Sequence, residues 1–199
     1  MDRNLTAALV IGYLLGAIPV GIVAGRALGG IDPRHAGSRN IGFTNVLRVA
    51  GKAAGVVTLI GDLGKGVLAV LIARHFLGAA GHDWELAAGG AAILGHIFPV
   101  YLRFHGGKGV ATALGVLFTV DWVVGGSVLV VWLLTAAMWR ISSLAALLAF
   151  GSLPFWVWLF HPNAAMGIFA IATTALIAYG HRDNIARLLA GTETRIGVR

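Results

Sequence analysis

Seven apolar runs, set apart by short polar breaks, constrain this chain more than any other feature. They cover residues 5–28, 53–76, 84–102, 110–120, 122–139, 143–160 and 164–180. The breaks are 29–52, 77–83, 103–109, 121, 140–142, 161–163 and the tail 181–199. A helix crossing the hydrocarbon core needs about 20 residues. Within lipid, only helices and closed barrels pair every backbone group. Barrel strands alternate apolar and polar residues over about ten positions, and these runs do not. The expected fold is therefore an all-α integral membrane protein. It is a polytopic bundle of about seven transmembrane helices, with the short run 110–120 as one of them. Five to seven crossings fit the run lengths.

Composition agrees. Hydrophobic residues make up 58% of the 199 and charged residues 12%, against about 25% charged in a soluble domain. A soluble fold of this size could not hide so much apolar surface. The first run reads as a retained span and not a cleaved leader, because Arg3 stands beside Asp2 and six more runs follow. With no cysteine, disulfide, thiolate, iron–sulfur and Cys–zinc chemistry are excluded. Neither an internal repeat nor a low-complexity tract is visible, so residues 1–199 read as one membrane-embedded domain.

The net charge of +7 is concentrated in a few polar segments. If all seven runs cross, one side holds Arg26, Arg34, Arg39, Arg48, Lys52, Arg103, Lys108, Arg140, Arg182, Arg187, Arg195 and Arg199. The other holds Arg3 and Arg74, beside Asp2, Asp83, Glu85 and Asp121. That asymmetry puts the C-terminus in the cytoplasm and the N-terminus outside. It also supports a crossing by run 110–120, since losing that crossing alone would move Arg140 and the basic tail outside.

Three segments on the basic side carry recognisable chemistry. The first runs from Gly37 through Ser38, Arg39, Asn40, Ile41, Gly42, Phe43, Thr44 and Asn45 to Arg48, with no acid after Asp32. Hydroxyls, amides, glycines and guanidiniums together suit a phosphate. A solvated turn carrying topology charges is the plainer reading. The second, His105-Gly106-Gly107-Lys108-Gly109-Val110-Ala111-Thr112, opens an apolar run. Its glycines permit close approach to an anion, the following helix offers N–H groups, and Lys108 adds charge. A flexible connector is the alternative. In the tail, His181, Asn184 and Arg187 repeat at one helix face opposite Ile185, Leu188 and Leu189. An amphipathic helix lying on the membrane would look the same.

Asp62 and Lys65 stand within a run at i, i+3. Intramembrane ions face polar cavities or neutralise each other. His96, shortly before Pro99, reads more readily as structural than as a base. No His pair with a carboxylate shows zinc or di-iron spacing, so no metal and no cofactor is expected.

On these segments the chain resembles the bacterial acyl-phosphate-dependent glycerol-3-phosphate acyltransferases, the PlsY family. The three motifs are matched by Gly37–Asn45 with Arg48, by Gly106–Thr112, and by His181–Glu193. Asp62-Leu63-Gly64-Lys65-Gly66 and Gly95-His96-Ile97-Phe98-Pro99 are similar too. The resemblance implies transfer of an acyl group from acyl phosphate to the 1-hydroxyl of sn-glycerol 3-phosphate. The products are lysophosphatidic acid and phosphate, in the first acylation of phospholipid synthesis. It implies the cytoplasmic (inner) membrane of a bacterium, an active site on the cytoplasmic face, and a functional link to the enzyme that makes acyl phosphate.

The implied roles follow. Lys108, with the N–H groups of Gly107 and Gly109, holds the acyl phosphate and the developing oxyanion. Arg48 and Lys52 clamp the phosphate of glycerol 3-phosphate. Ser38, Asn40, Thr44, Asn45 and Asn184 orient hydroxyls and phosphate oxygens, and His181 and Arg187 complete the pocket. Gly42, Gly106, Thr112 and Ser143 join the substrate-binding set, with Asp62, Lys65 and His96 in support. The proton passes either to a substrate phosphate oxygen or to His181. The sequence also leaves open a phosphate or organic-anion transporter, although such a protein would place its site near the bilayer midplane.

Overall fold

The computed structural model describes residues 3–77 and 82–197. Asp2 and Arg199 of the charge count, and 78–81 of the second polar break, lie outside the described residues. Every regular element among the described residues is helical. The chain forms two compact units, residues 1–120 and 121–199.

The first unit contains α1 (Arg3–Ala17), α2 (Val20–Gly29), α3 (Phe43–Leu77), α4 (His82–Ile97) and α5 (Val110–Val120). α3 is its centre and packs against the other four. The run 5–28 is not one helix. Pro19 has no N–H to donate and disfavours helical backbone at Ile18, so the chain breaks there. Close approach between helices depends on small residues. A Cβ on Gly16 of α1 would lie 2.0 Å from the Ala92 carbonyl oxygen of α4. One on Gly115 of α5 would lie 2.2 Å from the Leu63 carbonyl oxygen of α3. Neither contact tolerates a side chain, which is how apolar helices pack without a hydrophobic driving force between them.

α3 starts ten residues before the apolar run that it was expected to follow. Thr44, Asn45, Arg48 and Lys52 are thus helical and not part of a loop. The segment bends at Gly51 (φ 89°, ψ 177°), where the ladder is interrupted. The polar first two turns of the helix and its apolar remainder meet at that glycine.

The second unit contains α6 (Trp122–Trp139), α7 (Ser142–Gly151), α8 (Leu153–Phe160), α9 (Ala164–Gly180) and α10 (Arg182–Leu189). Asp121 caps α6 by accepting from the N–H groups of Val123 and Val124, and His161 Nε2 lies 2.7 Å from its other oxygen. The run 143–160 divides at Ser152, just ahead of Pro154, into α7 and α8. Phe150 and Leu153 fill the interior at the junction. There Thr174 of α9 donates to the Phe150 carbonyl at 2.7 Å.

Five segments are long and apolar enough to cross a membrane: Arg3–Gly29, Phe43–Phe76, Asp83–Leu102, Trp122–Trp139 and Ser142–Phe160. α9 and α10, bent by 65°, form a sixth as a pair, and α5 is a shorter apolar helix of 11 residues.

Candidate active site

The first polar segment is folded around two side chains. Asp32 receives Nε and Nη2 of Arg34 at 3.0 and 2.7 Å, the Arg34 backbone N–H at 3.0 Å, and Arg26 Nη2 at 2.7 Å. These donors hold its carboxyl well below the usual carboxylate range. The segment's only acid is thereby consumed. Among the described residues no ion pair engages Arg39, Arg48 or Lys52.

Asn45, 3% exposed, is the second organiser. Its Nδ2 donates to the carbonyls of Pro33, Ala36 and Asn40 at 3.1, 3.1 and 2.8 Å, and its Oδ1 accepts the Ser38 N–H at 2.9 Å. An amide has two Nδ2 hydrogens, so this one is fully committed. Through these bonds Asn45 holds the loop in shape. Asn40 Oδ1 accepts the Gly42 N–H at 2.8 Å, which closes the turn into α3. Gly37 and Arg39 adopt left-handed backbone (φ 58° and 59°) on either side of the exposed Ser38. Arg48 and Lys52 follow on α3, both exposed.

The second segment folds back along the end of α4. Tyr13 donates to the Phe98 carbonyl at 2.7 Å, and a short turn at Val100–Leu102 leads into Arg103 and Phe104, both with positive φ. The Gly106 N–H then donates to the Ile97 carbonyl at 3.1 Å, and the Gly107 N–H to the His96 carbonyl at 3.0 Å. The two glycines satisfy terminal carbonyls of α4, and in this structure the Gly107 N–H is engaged there. The first bond within α5 runs from Ala113 N–H to the Gly109 carbonyl at 2.8 Å. The N–H groups of Val110, Ala111 and Thr112 thus form an uncommitted first turn directly after Lys108 and Gly109. The Thr112 hydroxyl is fully buried, 3.2 Å from His96 Nδ1. Only its backbone fits the expected substrate contact.

Below this loop lies a buried polar cluster. Lys65 Nζ is 2.9 Å from Asp62 Oδ1 and donates to the Ile18 carbonyl at 3.2 Å, at the α1–α2 break. The oppositely charged pair ties α3 to the Ile18 carbonyl, which also accepts the Val20 N–H at 3.0 Å. His96 Nδ1 is 3.6 Å from the same Asp62 oxygen.

In the second unit, His181 joins α9 to α10 and is 2% exposed. Its Nδ1 lies 2.8 Å from the Ile177 carbonyl. A carbonyl only accepts, so Nδ1 carries a proton. Asn184 Nδ2 and Arg187 Nε both donate to Glu193, at 2.8 Å each. The expected shared face of Asn184 and Arg187 is present, and Glu193 is the residue that reading missed. Its nine-residue separation from Asn184 matches no helical period. The clue was its being the only acid in the sequence after α10. Ser143, at the start of α7, is 5% exposed, and its hydroxyl has no hydrogen-bond partner among the described residues. A buried hydroxyl without a partner is unusual in a folded protein. Among the described residues no three His, Asp or Glu side chains gather at metal-binding spacing.

Comparison with known proteins now bears on this arrangement. Residues 6–191 match the family model described as glycerol-3-phosphate acyltransferase. A glycerol-3-phosphate acyltransferase of Caulobacter vibrioides is 50% identical over 196 residues, covering 98% of this chain and 88% of the relative. A crystal structure of PlsY, an integral membrane glycerol 3-phosphate acyltransferase, in its glycerol 3-phosphate form, superposes with a TM-score of 0.90. It is 40% identical and covers 97% of this chain and 96% of its own. The same protein in its lysophosphatidic acid form gives 0.88 at 39% identity, covering 97% and 95%. The sequence match spans both units and all three polar segments, and the chain belongs to the glycerol-3-phosphate acyltransferase family.

Proposed function

We propose that this acyltransferase takes its acyl group from acyl phosphate and delivers it to the 1-hydroxyl of sn-glycerol 3-phosphate, releasing lysophosphatidic acid and inorganic phosphate. The observation that carries the reading is the Lys108–Thr112 segment: a lysine followed by the uncommitted first turn of a helix, built for an anion next to the reacting carbonyl. The solved relative's glycerol 3-phosphate and lysophosphatidic acid forms correspond to the acceptor and product of such a reaction.

The donor is a mixed anhydride with phosphate as leaving group, so positioning and charge stabilisation carry most of the catalysis. The glycerol hydroxyl attacks the acyl carbon, the bond from that carbon to the phosphate oxygen breaks, and the hydroxyl proton goes to a phosphate oxygen or to His181. Lys108, Gly109 and the first-turn N–H groups stabilise the departing phosphate and the oxyanion. Arg48 and Lys52 hold the phosphate of glycerol 3-phosphate. Ser38, Asn40, Thr44, Ser143, Asn184 and Arg187 orient the substrates. Asn45, Gly42, Gly106 and Gly107 shape the loops that present them. No metal and no acyl-enzyme takes part. The whole chain works as one membrane domain of the bacterial inner membrane, N-terminus outside, C-terminus cytoplasmic, with the chemistry on the cytoplasmic face. Its acyl donor comes from a partner enzyme that makes acyl phosphate.

Purified protein in detergent tests the donor. Phosphate release from acyl phosphate should require glycerol 3-phosphate, and an acyl thioester should not substitute. Equal or better turnover with the thioester would overturn the donor assignment.

A further inference from the structure

His96 is buried and belongs to none of the three polar segments, yet it contacts the second of them at Gly107 and at Thr112. Its backbone carbonyl accepts the Gly107 N–H at 3.0 Å. Its ring fills the space over the same residue: a Cβ on Gly107 would lie 2.1 Å from His96 Nε2. The ring cannot swing aside. It is 4% exposed, and its Nδ1 is 3.2 Å from the Thr112 hydroxyl on α5. Asp62 Oδ1, held by Lys65, stands 3.6 Å from that nitrogen. Gly107 itself does not have positive φ, so backbone freedom does not explain a glycine there. The space occupied by His96 does.

We infer that His96 is a positioning residue for acyl transfer: its ring, pinned by Thr112 beside the Asp62–Lys65 pair, is the floor on which Gly107 rests, and it sets the height of Lys108 over the first turn of α5. The inference rests on the assignment of Lys108 to the reacting phosphate.

The test is a double-mutant cycle between Gly107→Ala and His96→Ala, read as kcat/KM for glycerol 3-phosphate well below the melting temperature, with melting in detergent recorded separately. A displacement of about 1 Å in a catalytic group costs on the order of 100-fold. Gly107→Ala should cost about that much in the wild-type background. With the His96 ring removed, the added methyl has room, and the same change should cost roughly threefold or less, a coupling expected only of residues in contact. His96→Ala alone should lower kcat/KM while the protein stays folded and monodisperse. His96→Asn, which keeps a nitrogen toward Thr112 but vacates the space over Gly107, should also relieve the Gly107→Ala defect. Equal costs for Gly107→Ala in all backgrounds would overturn the inference. So would a loss of activity that only tracks melting. If Lys108→Ala is fully active, the assignment of Lys108 fails, whereas coupling seen in the melting temperatures would still report the packing contact.

Discussion

At the scale of single residues, the polar groups of the three segments divide into those that shape loops and those left for ligand. Asp32, Asn45 and Glu193 have their oxygens or amides filled by neighbouring protein groups. Arg48 and Lys52 stand exposed, and among the described residues neither enters an ion pair. If Arg48 clamps phosphate, Arg48→Ala removes charge-assisted bonds worth about 1.5–3 kcal/mol each. The expected result is a 10- to 100-fold fall in kcat/KM for glycerol 3-phosphate, on the scale of about 1.4 kcal/mol per tenfold. Arg48→Lys should recover part of it, lacking the planar fork. Unchanged kinetics in the alanine variant would remove Arg48 from the site. The residue types and their order were legible in the sequence. Their division of labour was not. Asn45 looks like a substrate amide until three carbonyls from residues 33, 36 and 40 are seen converging on it. Thr112 looks like an anion ligand until its hydroxyl is found against His96.

At the scale of elements, hydropathy located the apolar runs because lipid requires every buried backbone group to be paired within a helix. It could not show where helices begin in polar sequence or where they break. α3 starts at Phe43 because the Asn45-organised loop delivers the chain there, a tertiary cause that periodicity does not register. Pro19 and Pro154 announced breaks that continuous hydrophobicity obscured. Gly51 holds the bend in α3 at φ 89°, where an L-residue is strained by about 1–3 kcal/mol. Alanine also favours straight helix. Gly51→Ala should lower the melting temperature in detergent and reduce activity together, because straightening shifts the first two turns of α3, which carry Arg48. An unchanged melting temperature with full activity would show that the bend is not required.

At the scale of the whole molecule, the distribution of Lys and Arg is the strongest statement about the membrane. It predicts that the Ser38, Lys108 and Asn184 segments all face the cytoplasm. The chain has no cysteine, so single cysteines introduced at exposed positions beside these residues can be labelled without background. Reagent added from the cytoplasmic side should reach all three, and labelling of any of them from the periplasmic side would contradict the orientation. The family match over residues 6–191 extends across both compact units.

The central claim is direct transfer between two phosphate-bearing substrates, and the fate of the acyl label tests it. Neither Ser38 nor Thr44 has a sequence-adjacent His–carboxylate pair to activate it as a nucleophile. Purified protein would be given acyl phosphate radiolabelled in the acyl chain, quenched in acid, and examined for label on protein and on lipid. The account predicts no stoichiometric protein label at any time, and label appearing in lysophosphatidic acid only after glycerol 3-phosphate is added. A stoichiometric protein-bound label that chases into product on addition of glycerol 3-phosphate would replace direct transfer with a covalent intermediate and contradict the account.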